Sequence, residues 1–132
     1  MKKNMDLGLL ILRIAIGALM LLHGIAKLKG VSGIGVMLSN VGLPSFLAYG
    51  VYVTEIIAPL FILVGYRTRL FSVVYVFGVL FALFLADSGD IFTLNQHGGW
   101  GVELLGLYLF GAITLFFTGG GKIALSSLNK WD

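Results

Sequence analysis

The chain has 132 residues, 58% hydrophobic and only 11% charged, with nine Lys and Arg against six Asp and Glu. A water-soluble domain this small needs far more charge to cover its surface, so that class is excluded. No cysteine is present, which removes disulfides, thiol nucleophiles, persulfide carriers and thiolate-held clusters from this chain. Any sulfur relay would need a partner protein.

Four apolar stretches follow one another: Leu7–Leu28, Phe46–Tyr66, Leu70–Ala86 and Trp100–Phe117. Each is about 17–22 residues long, and about 20 helical residues cross a ~30 Å hydrocarbon core. They take most of the chain, so residues 1–132 read as a single four-span domain: an all-α, antiparallel four-helix bundle in the bilayer. Lys2 and Lys3 before the first stretch resemble a signal peptide. However, Arg13 interrupts the run and no small-x-small cleavage site follows Gly24, so a retained span is expected.

Between the first two stretches, "KGVSGIGVMLSNVGLPS" is too rich in glycine for a long helix. Val36, Met37, Leu38 and Val41 suit a short interfacial one. Pro44 is placed to open the second helix, since its missing N–H is harmless there. Pro59 lies inside that helix and should kink it, freeing a backbone carbonyl near Glu55. Arg67-Thr68-Arg69 is expected to form a tight turn into the third stretch. There Gly78, Ala82 and Ala86 form a small-residue stripe suited to close packing. The loop "DSGDIFTLNQHGG" is the most polar segment; its His97 is expected to be solvated, and Trp100 to anchor at the interface.

With four spans, the N-terminus, the second loop and the C-terminus share one side. That side carries Lys2, Lys3, Arg67, Arg69, Lys122 and Lys130. The other has Lys27 and Lys29 with Asp87 and Asp90. The positive-inside rule places both termini in the cytoplasm. This bias explains the net charge of +3, so no nucleic-acid partner is implied.

The charged residues inside the spans are the candidate site. At 100° per residue from Arg13, Gly17 falls near about +40°, Met20 −20°, His23 −80°, Gly24 +20° and Lys27 −40°. One face of the first span thus carries three basic residues and two glycines, and it must turn inward. Counting ~1.5 Å per residue from the span ends puts Glu103 level with His23, and Glu55 near mid-membrane between Arg13 and His23. Ligand-binding candidates are therefore Arg13, His23, Lys27, Glu55 and Glu103, with Glu55, Glu103 and His23 as catalytic candidates. Expected pairs are His23 with Glu103 and Arg13 with Glu55. Two readings stay open: a functional pocket, as ionisable residues in a membrane suggest, or ion pairs that only fix helix register.

Haem is disfavoured because His23 is the sole histidine at bundle depth. A metal is disfavoured because Arg13 and Lys27 would repel a cation. A quinone fits better: its oxygens accept from His, Arg or Lys, and a carboxylate passes the coupled protons. Tyr52, Tyr66 and Tyr108 are positioned to add hydroxyls or ring faces.

Arg13, Gly17 and "HGIAKL" in the first span, Glu55 followed by "GYRTR", and Glu103 in the fourth together resemble the DoxX family of small four-helix bacterial membrane proteins. The family often ends with a glycine-rich turn, a basic residue and Ser-Leu-Asp. Here "GGGKIALSS" keeps the glycines and Lys122 but has Ala124-Leu125-Ser126, without the aspartate. The family is similar to the small subunit of thiosulfate:quinone oxidoreductase. The resemblance implies a membrane oxidoreductase component on the quinone pool, working with other membrane or redox proteins. Distant eukaryotic relatives imply the alternative of an interaction or assembly protein without redox chemistry. A small transporter is less favoured, since no inverted repeat is visible.

Overall fold

A computed structural model describes residues 2–132. It is all-helical: α1 (Met5–Ala26), α2 (Ser32–Asn40), α3 (Ala58–Val64), α4 (Thr68–Ala86) and α5 (Glu103–Thr118). No β-strand forms among the described residues. Three segments, Met5–Lys29, Ser45–Val64 and Thr68–Ala86, are long and apolar enough to cross a membrane. Helix α5 is apolar but shorter, at 16 residues, because its first turn begins at Glu103 rather than at the expected Trp100.

The long helices surround one core. Ile16 and Met20 of α1 meet Ala58 and Ile62 of α3, Tyr75 and Val79 of α4, and Ala112 and Leu115 of α5. Helix α1 packs on α3 and α5, and α4 packs on α3 and α5. The outward residues are equally apolar: Ile11, Leu22, Leu60, Phe77, Phe84 and Phe110 are all exposed. Apolar side chains on both inner and outer faces suit a lipid surround.

The local starts and stops follow the sequence. Asn4 caps α1 by accepting from the Leu7 N–H at 3.0 Å, with Asp6 in the first turn to complement the helix dipole. Pro44 does stand at the entry of the second span, but the first turn, Ser45–Gly50, is a 3₁₀-helix. The short interfacial helix expected between the spans is α2, which buries Leu38 against Val31 and Ala48 and leaves Val36 and Val41 exposed.

At the opposite end the chain folds back on itself. Gly65, with φ 77°, ends α3 in the left-handed conformation that favours glycine. The tail after α5 returns beneath this turn: Leu125 and Ser126 donate to the Val64 and Gly65 carbonyls at 3.0 and 3.1 Å. The Trp131 carbonyl accepts from the Arg69 and Leu70 N–H groups at 2.9 and 3.3 Å, capping the free donors of α4. Asp6 accepts from the Lys122 N–H at 2.9 Å. The start of α1, the α3–α4 turn and the tail therefore share one end of the molecule.

Candidate functional site

Pro59 has no N–H to offer the Glu55 carbonyl four residues earlier. The helix responds with a π turn over Val53–Ile57, in which the Ala58 N–H donates to the Val53 carbonyl. The kink expected at Pro59 takes this form. Single π turns frequently mark functional sites. Gly24 of α1 lies directly against this turn: a Cβ there would overlap the Glu55 carbonyl oxygen and come within 2.7 Å of Ile56 Cγ1. On the other side, Gly78 of α4 receives Thr54, whose Oγ1 would lie 2.8 Å from a Cβ. Two glycines thus hold the π turn between α1 and α4.

The turn presents Glu55 to Lys27. Lys27 Nζ donates to both carboxylate oxygens, at 2.8 and 2.6 Å. The side chains are 35% and 13% exposed, respectively. Tyr52 donates its hydroxyl to the Lys27 carbonyl at 3.0 Å and also lines a groove under α2, with Tyr49, Ser45 and Asn40. Tyr52 thus links the ion pair to a groove that Lys27 and Glu55 do not themselves line, at the end of the bundle opposite the tail.

A second polar row runs inward from His23. Its ring meets Tyr108 edge-on, with centroids 6.0 Å apart, and Tyr108 meets Tyr75 edge-on at 6.3 Å. Tyr75 is buried and donates to the Ile16 carbonyl at 2.8 Å. Tyr108 is only 4% exposed, yet no described residue hydrogen-bonds its hydroxyl. That hydroxyl keeps some accessible surface; the buried side-chain oxygen left without a partner among the described residues is Thr68 Oγ1.

The expected pairings differ from the observed ones. Glu103 does not reach His23: it is exposed, accepts from Asn95 Nδ2 at 3.3 Å, and packs over Gly99. As the first residue of α5 it sits where the helix dipole favours a carboxylate. Tyr108, about 7.5 Å further along the helix axis, takes the expected place beside His23. His23 itself lies at the exposed rim of α1, consistent with its outlying wheel angle.

Arg13 does not pair with Glu55. It is 1% exposed and donates to four carbonyls: Ile62 at 2.9 Å, Leu63 at 2.9 Å, Gly120 at 3.1 Å and Ile123 at 2.6 Å. Two belong to the C-terminus of α3, whose dipole attracts a cation, and two to the tail. Arg13 is therefore a structural clamp. Glu55 is level with Gly24, because the first turns of the second span stand beyond the end of α1 against α2. Counting from Phe46 places it about two turns too deep. Tyr66 also lies away from the site, next to Phe61 and under the Arg67 guanidinium. His97 is exposed in its loop. Among the described residues, no three His, Asp or Glu side chains converge as metal ligands would.

Tyr75 is a site residue that the sequence reading does not reach; its spacing with Ser72 and Val79 on the buried face of α4 is the available signal. Asp132 is another. Its carboxylate accepts from Ser126 Oγ at 2.6 Å, the Asn129 N–H at 2.7 Å and Arg67 Nη1 at 3.1 Å. Burial pushes its pKa up, but the bonds from Ser126, Asn129 and Arg67 prevail and hold it at about 2. Asp132 thus ties the tail to the α3–α4 turn through Ser126 and Arg67.

The DoxX family model matches residues 8–88. The chain belongs to the DoxX family. This DoxX protein is also 34% identical, over 125 residues, to a Bacillus subtilis (strain 168) protein named "Putative oxidoreductase CatD". The similarity covers 95% of this chain and 89% of that relative. No solved structure matches. The matched region holds Arg13, His23, Gly24, Lys27 and Glu55, so the π turn and the ion pair lie within it, while two of the carbonyls that Arg13 clamps, Gly120 and Ile123, lie beyond it. The family and the apolar helices together make this a multi-pass DoxX membrane protein.

Proposed function

We propose that this DoxX protein is an antiparallel four-helix bundle of the bacterial inner membrane, with both termini cytoplasmic, and serves as the quinone-binding subunit of a membrane oxidoreductase. The observation that carries this reading is the Lys27–Glu55 pair, held by a π turn in an apolar bundle and joined through Tyr52 to the groove under α2. Buried ion pairs stabilise a fold poorly compared with apolar packing, so a partly buried one inside an apolar bundle invites a chemical role. The relative's name, an oxidoreductase, points the same way.

A quinone becomes a quinol by taking two electrons and two protons. The Lys27 ammonium is suited to donate to one carbonyl oxygen, favouring the negative charge that develops there on reduction. Glu55, already in contact with Lys27, is the proton relay. The free hydroxyl of Tyr108, with His23 beside it, is a second donor along the polar row. The ring would lie among Tyr52, Tyr108 and the apolar walls. Glu103 and Arg13 have no part in this chemistry. The electrons come from a partner redox protein, since this chain has no cysteine to relay them.

The test is direct. Purify the protein from its membrane in mild detergent, extract with organic solvent, and assay the extract for quinone by chromatography. A quinone present near one per chain, and depleted in Glu55→Gln, is expected. Its absence from folded wild-type protein would favour the assembly-protein reading. Reporter fusions at residue 132 and near Asp90 should report opposite sides of the membrane.

A further inference from the structure

An open groove runs between α4 and α5, lined wholly by apolar side chains that include Val73, Val76, Leu80, Ile113 and Phe116. From Val73 to Leu80 it follows about 10 Å of helix. A cation stands beside it, over one of the lining rings. Arg69 stands over the Phe116 ring, 5.1 Å from the centroid, and donates from Nε to the Phe116 carbonyl at 2.7 Å. Its Nη1 donates to the Lys130 carbonyl at 2.6 Å. No described residue bonds Nη2, and no carboxylate among the described residues pairs with Arg69.

The neighbouring Arg67 differs, because Asp132 neutralises it. Lys130 is exposed beside Arg69, with Nζ 5.9 Å from the centre of the Trp131 ring. This end therefore offers two uncompensated cations, an exposed tryptophan and an apolar groove that runs along α4 and α5. We propose that the groove holds one acyl chain of an anionic phospholipid whose phosphate is bound by Arg69 and Lys130. The apolar lining matches a hydrocarbon chain, and the guanidinium matches a phosphate. Basic residues at the membrane surface select anionic over zwitterionic lipid. The site lies at the opposite end from the Lys27–Glu55 pair, so its test is independent of quinone binding.

Delipidated full-length protein is titrated with phosphatidylglycerol or phosphatidylcholine of identical chains, and bound lipid is counted by native mass spectrometry. One phosphatidylglycerol should be retained severalfold more strongly than phosphatidylcholine, and should raise the melting temperature. Glycerol phosphate, which lacks a chain, should do neither. Arg69→Gln should abolish the preference. Because Arg69 also bonds the tail, Lys130→Gln provides a variant with the backbone contact intact; it should weaken the preference. Leu80→Trp, which fills the groove, should lower retention of both lipids. Equal retention of the two lipids by wild type, an unchanged preference in folded Lys130→Gln, or unchanged retention in folded Leu80→Trp would overturn the proposal. A stable dimer covering this groove would do so too.

Discussion

Replacing Gly24 with alanine adds one methyl group where the structure has no room for it. The added carbon would overlap the Glu55 carbonyl oxygen and lie 2.7 and 2.8 Å from Ile56 Cγ1 and the Glu55 carbonyl carbon. Two of these neighbours are backbone, so no rotamer change relieves the contact; α1 and the π turn must separate. Forcing a methyl group into a packed interior costs about 1–3 kcal/mol. At an open helical position the same substitution gains up to roughly 1 kcal/mol from helix propensity. Gly8 is such a position, where an added Cβ would meet nothing within 4 Å. Gly24→Ala should therefore unfold earlier than wild type, and Gly8→Ala at the same point or later. Unfolding in detergent micelles, followed by circular dichroism, makes the comparison. Equal shifts, or stabilisation by Gly24→Ala, would refute the placement of the π turn against α1.

Lys27→Met and Glu55→Gln should each destabilise, while the double variant recovers part of the loss. The coupling should be about 1–3 kcal/mol, limited by the partial exposure of Lys27. His23→Leu and Glu103→Leu should instead be additive in the same unfolding assay. Arg13→Leu strips four carbonyls of their donor and should cost at least roughly 3 kcal/mol. Arg13→Lys should recover little, since an ammonium cannot reproduce the guanidinium fork. Asp132 has a folded-state pKa of about 2, below its ordinary 3.8. Its hold on the tail should thus be complete above about pH 4 and lost as pH falls through about 2, read by hydrogen exchange at residues 126–131. Asp132→Asn should exchange quickly at every pH.

The inward face of α1 is legible in the sequence because the helical period alone determines it: Arg13, Gly17, Met20 and Gly24 are all buried. The bend near Glu55 is legible because a proline inside a helix has few outcomes. Partners across the bundle are not, because depth depends on where each helix begins. Helix α5 starts three residues later than its apolar pattern does, which moves Glu103 to the membrane edge and brings Tyr108 to His23. The second span stands proud of α1 against α2, which raises Glu55 from Arg13 to Lys27. The role of Arg13 is hidden for a different reason. Its partners are backbone carbonyls, and every residue has one, so no residue type signals them. Asp132 is obscured by distance in sequence, since only the returning tail brings it to Arg67.

Quinone binding is tested most directly by titrating a short-chain quinone into purified wild type, Glu55→Gln and Glu103→Gln while following the melting temperature. Both substitutions remove a charge and keep the shape, but only Glu55 contacts Lys27. Wild type and Glu103→Gln should be stabilised alike, and Glu55→Gln much less. No stabilisation of wild type, or equal stabilisation of all three proteins, would contradict a quinone site at the Lys27–Glu55 pair.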